Sequence, residues 1–242
     1  VRYIEYREDK GYLSMGIDEV LLILRGQNKI EDTFRFYSFN PSCVSIGYFQ
    51  RIDSSIDLDF CKKNNIDYVR RITGGGNVFH DKFGEITYSM IISEKKAPDD
   101  ILESFEFLYG GIISGLKKLN IKAEFKPLND LTLNSKKISG SAQTRRNGTI
   151  LQHGTIIYDT SIDTMEKALK ISEKKIEIRN RVTTLNNEDY KYKKEILINA
   201  LKEGFKDIFG SFEESILSKE ELLIATNLAN EKYRSENWNY LR

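Results

Sequence analysis

Apolar and polar positions along this chain change period several times, and each change marks an element. Ile86, Tyr88, Met90 and Ile92 recur at every second position and fall on one side of a predicted strand. Residues 34–39 and 43–49 also read as strands, with Asn40-Pro41-Ser42 as the turn between them. Residues 66–72 read as a strand that runs into a glycine cluster. A helical period then takes over across residues 99–119, where Ile101, Leu102, Phe105, Leu108, Ile112, Ile113, Leu116 and Leu119 make one stripe. Gly110, Gly111 and Gly115 lower helix propensity there by about 1 kcal/mol each, and they suggest close packing against a sheet. An earlier helix is expected from Ser14 as N-cap to about Arg25, stopping at Gly26, and a short one over residues 57–64.

Residues 123–158 read as β-hairpins with turns at Asn134-Ser135 and Asn147-Gly148. The last third is helical. Ile196, Leu197, Ala200, Leu201, Phe205 and Ile208 form a stripe, and Ser218-Lys219-Glu220-Glu221 is a capping box opening a final helix to about Tyr233. Strands with helices between them, followed by helices, predict an α+β fold of mixed or antiparallel β-sheets flanked by helices.

Composition narrows the classes. A length of 242 residues suits a single domain, 1–242. No run of apolar residues is long enough to span a membrane, and the first five residues lack the apolar segment of a secretion signal. Cys43 and Cys61 make no disulfide framework and fit a cytoplasmic setting. His80 and His153 are the only histidines, and no Cys/His pair has zinc spacing. Net charge is +1, from 37 basic and 36 acidic residues, which argues against a nucleic-acid partner.

Candidate chemistry gathers in three segments. Arg70-Arg71-Ile72-Thr73-Gly74-Gly75-Gly76-Asn77-Val78-Phe79-His80-Asp81 combines paired arginines with three glycines. Its freed backbone N–H groups suit an anion, and the guanidiniums suit phosphate or carboxylate. A glycine-rich hairpin with solvated arginines is the competing reading. The segment is no P-loop, for no Gly-Lys-Ser/Thr follows, and its spacing is not the dinucleotide fingerprint. Further on, Asn129-Asp130 precedes Lys136-Lys137-Ile138-Ser139-Gly140-Ser141-Ala142-Gln143. As a strand, this places Lys137, Ser139 and Ser141 on one face and Ile138 on the other. A solvated edge would also explain the lysine pair. Gln152-His153-Gly154-Thr155 lies on the return strand.

Together these segments resemble the lipoate–protein ligase family, in the same order and across nearly the whole chain, with smaller agreements at Ile46-Gly47-Tyr48-Phe49-Gln50 and Tyr233-Arg234-Ser235-Glu236-Asn237-Trp238-Asn239. The resemblance implies the biotin/lipoate protein ligase-like catalytic fold, without the small accessory domain that longer members carry. It implies a two-step reaction in which lipoate or octanoate attacks ATP to give an acyl-adenylate, and a lysine of an acceptor domain then takes the acyl group. By position, Arg71 and Thr73 would sit at the acyl-adenylate. Gly74, Gly75, Gly76, Asn77, Val78 and Phe79 would line it, and Lys137 would contact the acyl carbonyl and the α-phosphate. His80 and His153 are either ligand contacts or hydrogen-bonded structural histidines, and Asp81 reads as a loop-bracing acceptor. Asp130 is the candidate carboxylate for Mg²⁺, or else half of an Asn-Asp turn. The implied acceptors are lipoyl domains of 2-oxoacid dehydrogenase E2 subunits or the glycine cleavage H protein, and a separate accessory-domain protein is a further implied partner. Acyltransferases of the same fold use a nucleophilic cysteine upstream of the lysine strand or after the His-Gly strand. Neither Glu124-Phe125-Lys126-Pro127-Leu128 nor residues 158–184 contain one, which favours the ATP-using ligase.

Overall fold

The computed structural model describes residues 1–170 and 178–242, so part of the cysteine-free stretch 158–184 lies outside the described residues. Its strands are β1 (Arg2–Asp9), β2 (Thr33–Phe39), β3 (Cys43–Ile46), β4 (Asp67–Arg70), β5 (Val78–His80), β6 (Glu85–Ser93), β7 (Glu124–Lys126), β8 (Asp130–Leu133), β9 (Lys136–Arg146), β10 (Thr149–Ile157) and β11 (Glu213–Ser215). Eight of them form one sheet in the order β11-β1-β2-β6-β10-β9-β8-β7, and β4-β3-β5 form a second. The large sheet is mixed: β1 runs parallel to β2 and β11, whereas β2, β6, β10 and β9 pair antiparallel.

Alternation explains how the large sheet is covered on both faces. Ile86, Tyr88, Met90 and Ile92 enter one core together with Phe34 and Phe36, beneath the helices Ile101–Lys118 and Lys194–Phe209. Ile91, Tyr37, Phe39 and Leu151 enter the opposite core, under the helices Gly11–Gly26 and Lys219–Leu228. A third cluster joins Val44, Ile46 and Phe79 of the small sheet to the short helices Leu58–Lys63 and Ile162–Ala168. Burying each such large apolar side chain contributes roughly 1.5–3 kcal/mol.

Several local expectations hold. The short helix expected over residues 57–64 forms as Leu58–Lys63, and Asp57 is found to cap it by accepting from Phe60 N–H. Asn134, Ser135, Asn147 and Gly148 all take positive φ at the hairpin turns. Ser218 and Glu221 form the reciprocal capping box.

Others need correction. The first helix begins at Gly11, so Ser14 sits inside it, buried, and its carbonyl accepts from Arg35 (2.8 Å). The stripe on Ile101–Lys118 starts later than read, for Ile101 and Leu102 are exposed. Its glycines meet a helix and not a sheet. A Cβ on Gly111 would reach the Phe205 ring at 2.7 Å, and one on Gly115 the Ala200 carbonyl at 2.7 Å. The final helical run does reach Tyr233 as read, but its α-helical part closes at Leu228 and Ala229–Tyr233 form a π-type turn. β1 and β11 were not legible, because β1 carries charge at five of its eight positions and β11 is three residues long.

The strand bearing Lys137 departs most from simple alternation. Leu131 pairs with Ser139 but Thr132 pairs with Lys137, so Ile138 is an extra residue in β9. The bulge turns Ile138 and Ser139 toward the same core, where Ser139 approaches the Tyr109 hydroxyl (3.4 Å). Lys137 therefore lies away from Ser139, and its side chain extends over Gly140, where a Cβ would stand 2.5 Å from Nζ.

Candidate active site

Residues 71–77 leave β4, cross the end of the small sheet and return as β5. Only Gly75, at φ +94°, has a backbone conformation that disfavours a side chain. Gly74 and Gly76 have open space around them, so their missing side chains leave room and relieve no strain. A Cβ on Gly47 would overlap the Gly75 carbonyl, and Tyr48 N–H donates to the Thr73 carbonyl (2.9 Å), so residues 47–50 support the loop from behind. Among the described residues, no protein acceptor takes the N–H groups of Gly74, Gly75, Gly76 or Asn77, and such a run of amides suits an anion. The Asn77 side chain points elsewhere and donates to the carbonyls of Ser55 and Lys170.

The two arginines are not solvated, and they do different work. Arg70 is fully buried. Its nitrogens donate to the carbonyls of Gly47, Tyr48, Gln50, Trp238 and Asn239 (2.6–3.2 Å). Trp238 Nε1–H and Asn239 Oδ1 complete the clamp on the Arg70 backbone (2.8 and 2.7 Å). The C-terminal segment is thereby tied to the turn that supports Gly75. Asn239→Ala leaves buried groups unpartnered at a cost of about 1–3 kcal/mol, so its chemical-denaturation midpoint should fall clearly below wild type. An unchanged midpoint would refute the clamp.

Arg71 faces the site instead. Nε donates to Thr73 Oγ1 (3.1 Å), one terminal nitrogen to the Ser45 carbonyl and Oγ (3.2 Å each), and the other to the carbonyls of Gly74 and Gly76 (2.7 Å each). Burial pulls its guanidinium down to about 10, still charged at neutral pH.

Both histidines are buried and doubly bonded. His153 Nε2 meets Thr73 Oγ1 (2.7 Å) and Nδ1 meets Asp18 Oδ2 (2.9 Å). His80 Nε2 meets Ser45 Oγ (2.8 Å) and Nδ1 meets Glu85 (3.0 Å). Burial pushes His153 below the ordinary imidazole value and outweighs Asp18, which pulls the other way, while Arg71 and His80 add to the lowering. The folded state therefore binds fewer protons than the unfolded chain between the folded value and about 6.5. This contribution to stability is complete above about 6.5 and declines as the pH falls toward the folded value. Urea midpoints should drop on acidification from about pH 8 to pH 5, and more in wild type than in His153→Gln. Equal slopes in the two proteins would contradict a neutral buried imidazole. Asp81 braces the loop as expected, accepting from the N–H groups of Phe83 and Ser161 (2.9 Å each).

Two cavities meet at Lys137. The smaller, about 120 Å³, runs between Met15, Tyr37, Phe39 and the loop, and Arg71, Gly75, Gly76, Asn77, Val78, His80 and His153 also line it. The larger, about 490 Å³, is bounded by residues 76–79, Asp130 and Arg181. Lys137 lines both, and its ammonium pairs with Asp130 (2.6 Å). Thr73 and Gly74 line neither and stand behind Arg71. Asn129 fixes this corner, because its carbonyl accepts Ser141 N–H (3.0 Å) and its amide donates to the Ser141 carbonyl.

Asp18, Arg35, Ser45 and Glu85 escaped the sequence reading. Asp18 interrupts the apolar run of the first helix, and Arg35 alternates with phenylalanines in a fully buried strand. A charge inside an apolar run was the available signal. Ser45 and Glu85 offered none.

A mixed sheet helix-covered on both faces, with a glycine loop and a strand-borne lysine at paired cavities, defines a catalytic domain of the biotin/lipoate ligase-like α+β class. Within that class, the chain belongs to the family described as the lipoyl protein ligase A/B catalytic domain, whose model matches residues 10–209. It is 33% identical to the octanoyltransferase LipM of Geobacillus kaustophilus (strain HTA426), over 97% of this chain and 97% of that protein. It is 34% identical to the octanoyltransferase LipM of Clostridioides difficile (strain 630), over 100% and 98%. Among solved structures it resembles a bi-partite lipoate protein ligase from Thermoplasma acidophilum, studied with its E2 lipoyl domain, at TM-score 0.86 and 28% identity over 99% of this chain and 96% of that one. A lipoate-protein ligase A bound with ATP superposes at TM-score 0.87 and 28% identity, over 99% and 98%. Among the described residues, no helix is long and apolar enough to cross a membrane.

Proposed function

We propose that this chain is an ATP-dependent lipoate–protein ligase, which activates lipoate or octanoate as the acyl-adenylate and passes the acyl group to a lysine of a lipoyl domain. The observation that carries this reading is that Lys137 stands at the junction of the two cavities while, among the described residues, no cysteine lines either. Cys43 and Cys61 are buried, and burial raises both thiols, Cys61 to about 11. A transferase that holds its acyl group as a thioester needs a reachable thiolate.

In the first step a carboxylate oxygen of the acid bonds to the α-phosphorus, and the bond to pyrophosphate breaks. Negative charge grows on the phosphoryl oxygens, and the Lys137 ammonium is positioned to meet it. In the second step the neutral amine of the acceptor lysine attacks the acyl carbon, AMP leaves, and the amine loses a proton. The small cavity suits the acyl chain and the large one the nucleotide, with the amides of Gly76 and Asn77, which line both, toward the phosphate. Mg²⁺ accompanying ATP would draw charge from the phosphate oxygens and keep several waters. Among the described residues no cluster of three or more His, Cys, Asp or Glu would hold a metal ion by itself. Asp130 therefore fits as a single protein carboxylate beside a phosphate-borne ion. The acceptor in this reading is a lipoyl domain of an E2 subunit or of the glycine cleavage H protein, and the reaction belongs in the cytoplasm with its ATP.

A second reading is octanoyl transfer from a carrier protein without ATP, and the LipM relatives favour it. Mass spectrometry separates the two. Protein incubated with ATP, Mg²⁺ and lipoate or octanoate should yield the acyl-adenylate, and added lipoyl domain should gain the acyl mass. Octanoyl carrier protein offered without ATP should leave the enzyme unmodified. An acylated enzyme or lipoyl domain in that second arm would overturn the ligase reading.

A further inference from the structure

Tyr109 sits inside the apolar stripe of the helix Ile101–Lys118, among Leu108, Ile112 and Leu116, and is fully buried. Phenylalanine would fill that space as well, so the hydroxyl needs a reason of its own, because a buried phenol is costly unless it is bonded. It donates to the Asn129 carbonyl (2.8 Å), and a carbonyl can only accept, so the direction of this bond is fixed. The phenolic oxygen also stands 3.4 Å from Ser139 Oγ, and with its one proton committed to Asn129 it accepts there. Burial pushes the phenol well above its ordinary range, so the donor keeps its proton.

The two partners of this hydroxyl belong to the two stretches that carry the Lys137–Asp130 corner. Asn129 leads into β8 at Asp130, and Ser139 follows the bulge at Ile138 in β9, two residues after Lys137. A peptide unit is planar, so an oxygen held at Asn129 also fixes the nitrogen and Cα of Asp130. The same carbonyl accepts Ser141 N–H (3.0 Å) and, more distantly, Ser141 Oγ (3.4 Å). That rung lies just past the last β8–β9 pair, Asp130 with Gly140, where a ladder alone would fray. Gly154, opposite Ser141 in β10, backs the corner closely, for a Cβ there would stand 2.7 Å from the Gly140 carbonyl. Tyr109 lines neither of the two cavities, whereas Asn129, Asp130, Lys137 and Gly140 each line at least one. Its influence on the site is therefore indirect.

We propose that Tyr109 is a positioning residue, whose hydroxyl ties the bulged strand to the Asn129–Asp130 peptide and so holds the Asp130 carboxylate where it keeps the Lys137 ammonium at the junction of the two cavities. The ion pair is too solvated to do this by itself, since both side chains are partly exposed. What keeps the pair in one geometry is the backbone beneath it, and Tyr109 secures that backbone from the buried side. For its catalytic consequence the proposal rests on the ligase reading, in which a misplacement of about 1 Å costs about 10²-fold in rate. The contact itself does not depend on that reading.

The test uses the whole chain and Tyr109→Phe, which keeps the ring and removes one oxygen. Tyr158→Phe is the matched control, because the Tyr158 hydroxyl also donates to a backbone carbonyl, that of Phe83, and Tyr158 lines neither cavity. Acetylation by an N-hydroxysuccinimide ester, read by peptide mass spectrometry, reports how tightly the Lys137 amine is held, with the exposed Lys136 as internal reference. Tyr109→Phe should raise labelling of Lys137 about five- to tenfold and lower kcat of adenylate formation about tenfold, the scale of one hydrogen bond, with KM for octanoate unchanged. Tyr158→Phe should change neither, while both variants lose similar stability. Labelling of Lys137 that stays at the wild-type level in Tyr109→Phe would make the hydroxyl a packing feature and overturn the proposal, and so would equal changes in Tyr158→Phe. If Tyr109→Phe does not fold, hydrogen exchange on wild type decides. The Ser141 amide should then be protected as strongly as the central rungs of β9, and fast exchange there would overturn the proposal. If labelling responds as expected yet wild type forms no adenylate with ATP, the positioning role stands and the ligase reading falls.

Discussion

Lys137→Ala is expected to slow acyl-adenylate formation about 10²- to 10³-fold, the usual cost of removing a donor aimed at developing charge, with little change in thermal stability. The side chain is about one-third exposed, and its ion pair with Asp130 is partly solvated, so the pair itself contributes roughly 0–1 kcal/mol. The backbone of Lys137 holds Thr183 N–H (2.9 Å) whatever the side chain is. Fold and chemistry are thus separable at this position. Lys137→Arg should not rescue, because a planar fork cannot take the place of a compact ammonium folded over Gly140. Pyrophosphate exchange at the wild-type rate in the alanine variant would refute the assignment of Lys137.

Asp18→Ala is expected to have the opposite character, a large loss of stability. Asp18 and Arg35 are both about 1% exposed and paired at 2.8 Å. Burial alone would raise the Asp18 carboxyl, but Arg35 and His153 outweigh it and hold it down to about 2. Removing one partner of a buried pair costs about 3–5 kcal/mol, since the other charge is left without compensation. In a chain of this size that is a fall in melting temperature of roughly 6–20 °C. Calorimetry should also show part of the loss returned in Asp18→Leu combined with Arg35→Met, where no charge remains. A fall under about 2 °C in the single variant would contradict the account.

How far the site was legible depends on distance along the chain. Ser218 and Glu221 act within one helical turn, and the turn residues Asn134 and Asn147 act on their own φ. The alternation of Ile86, Tyr88, Met90 and Ile92 needs only one strand. These features follow from local geometry. The glycine loop and Lys137 were visible as unusual clusters, but what they touch was not. Arg70 reads the same as Arg71 in sequence, yet one clamps the C-terminal segment and the other faces the cavity.

The face presented by Lys137 shows the limit well. Strict alternation puts it with Ser139 and Ser141, and one extra residue, Ile138, reverses that. No local signal marks the bulge, because it arises from the register between β8 and β9. Asp18, 135 residues from His153, is the longer-range case.

The sequence by itself therefore determined the α+β class, most helices and hairpins, and the order of segments that carry the chemistry, because periodicity, caps and turn residues act over a few positions. Tertiary structure alone decided the contacts of Asp18 and Glu85 with the two histidines, the separate duties of the two arginines, and the two cavities that meet at Lys137. Each of those depends on which strands lie side by side, and that is set by the packing of the whole sheet between its helices.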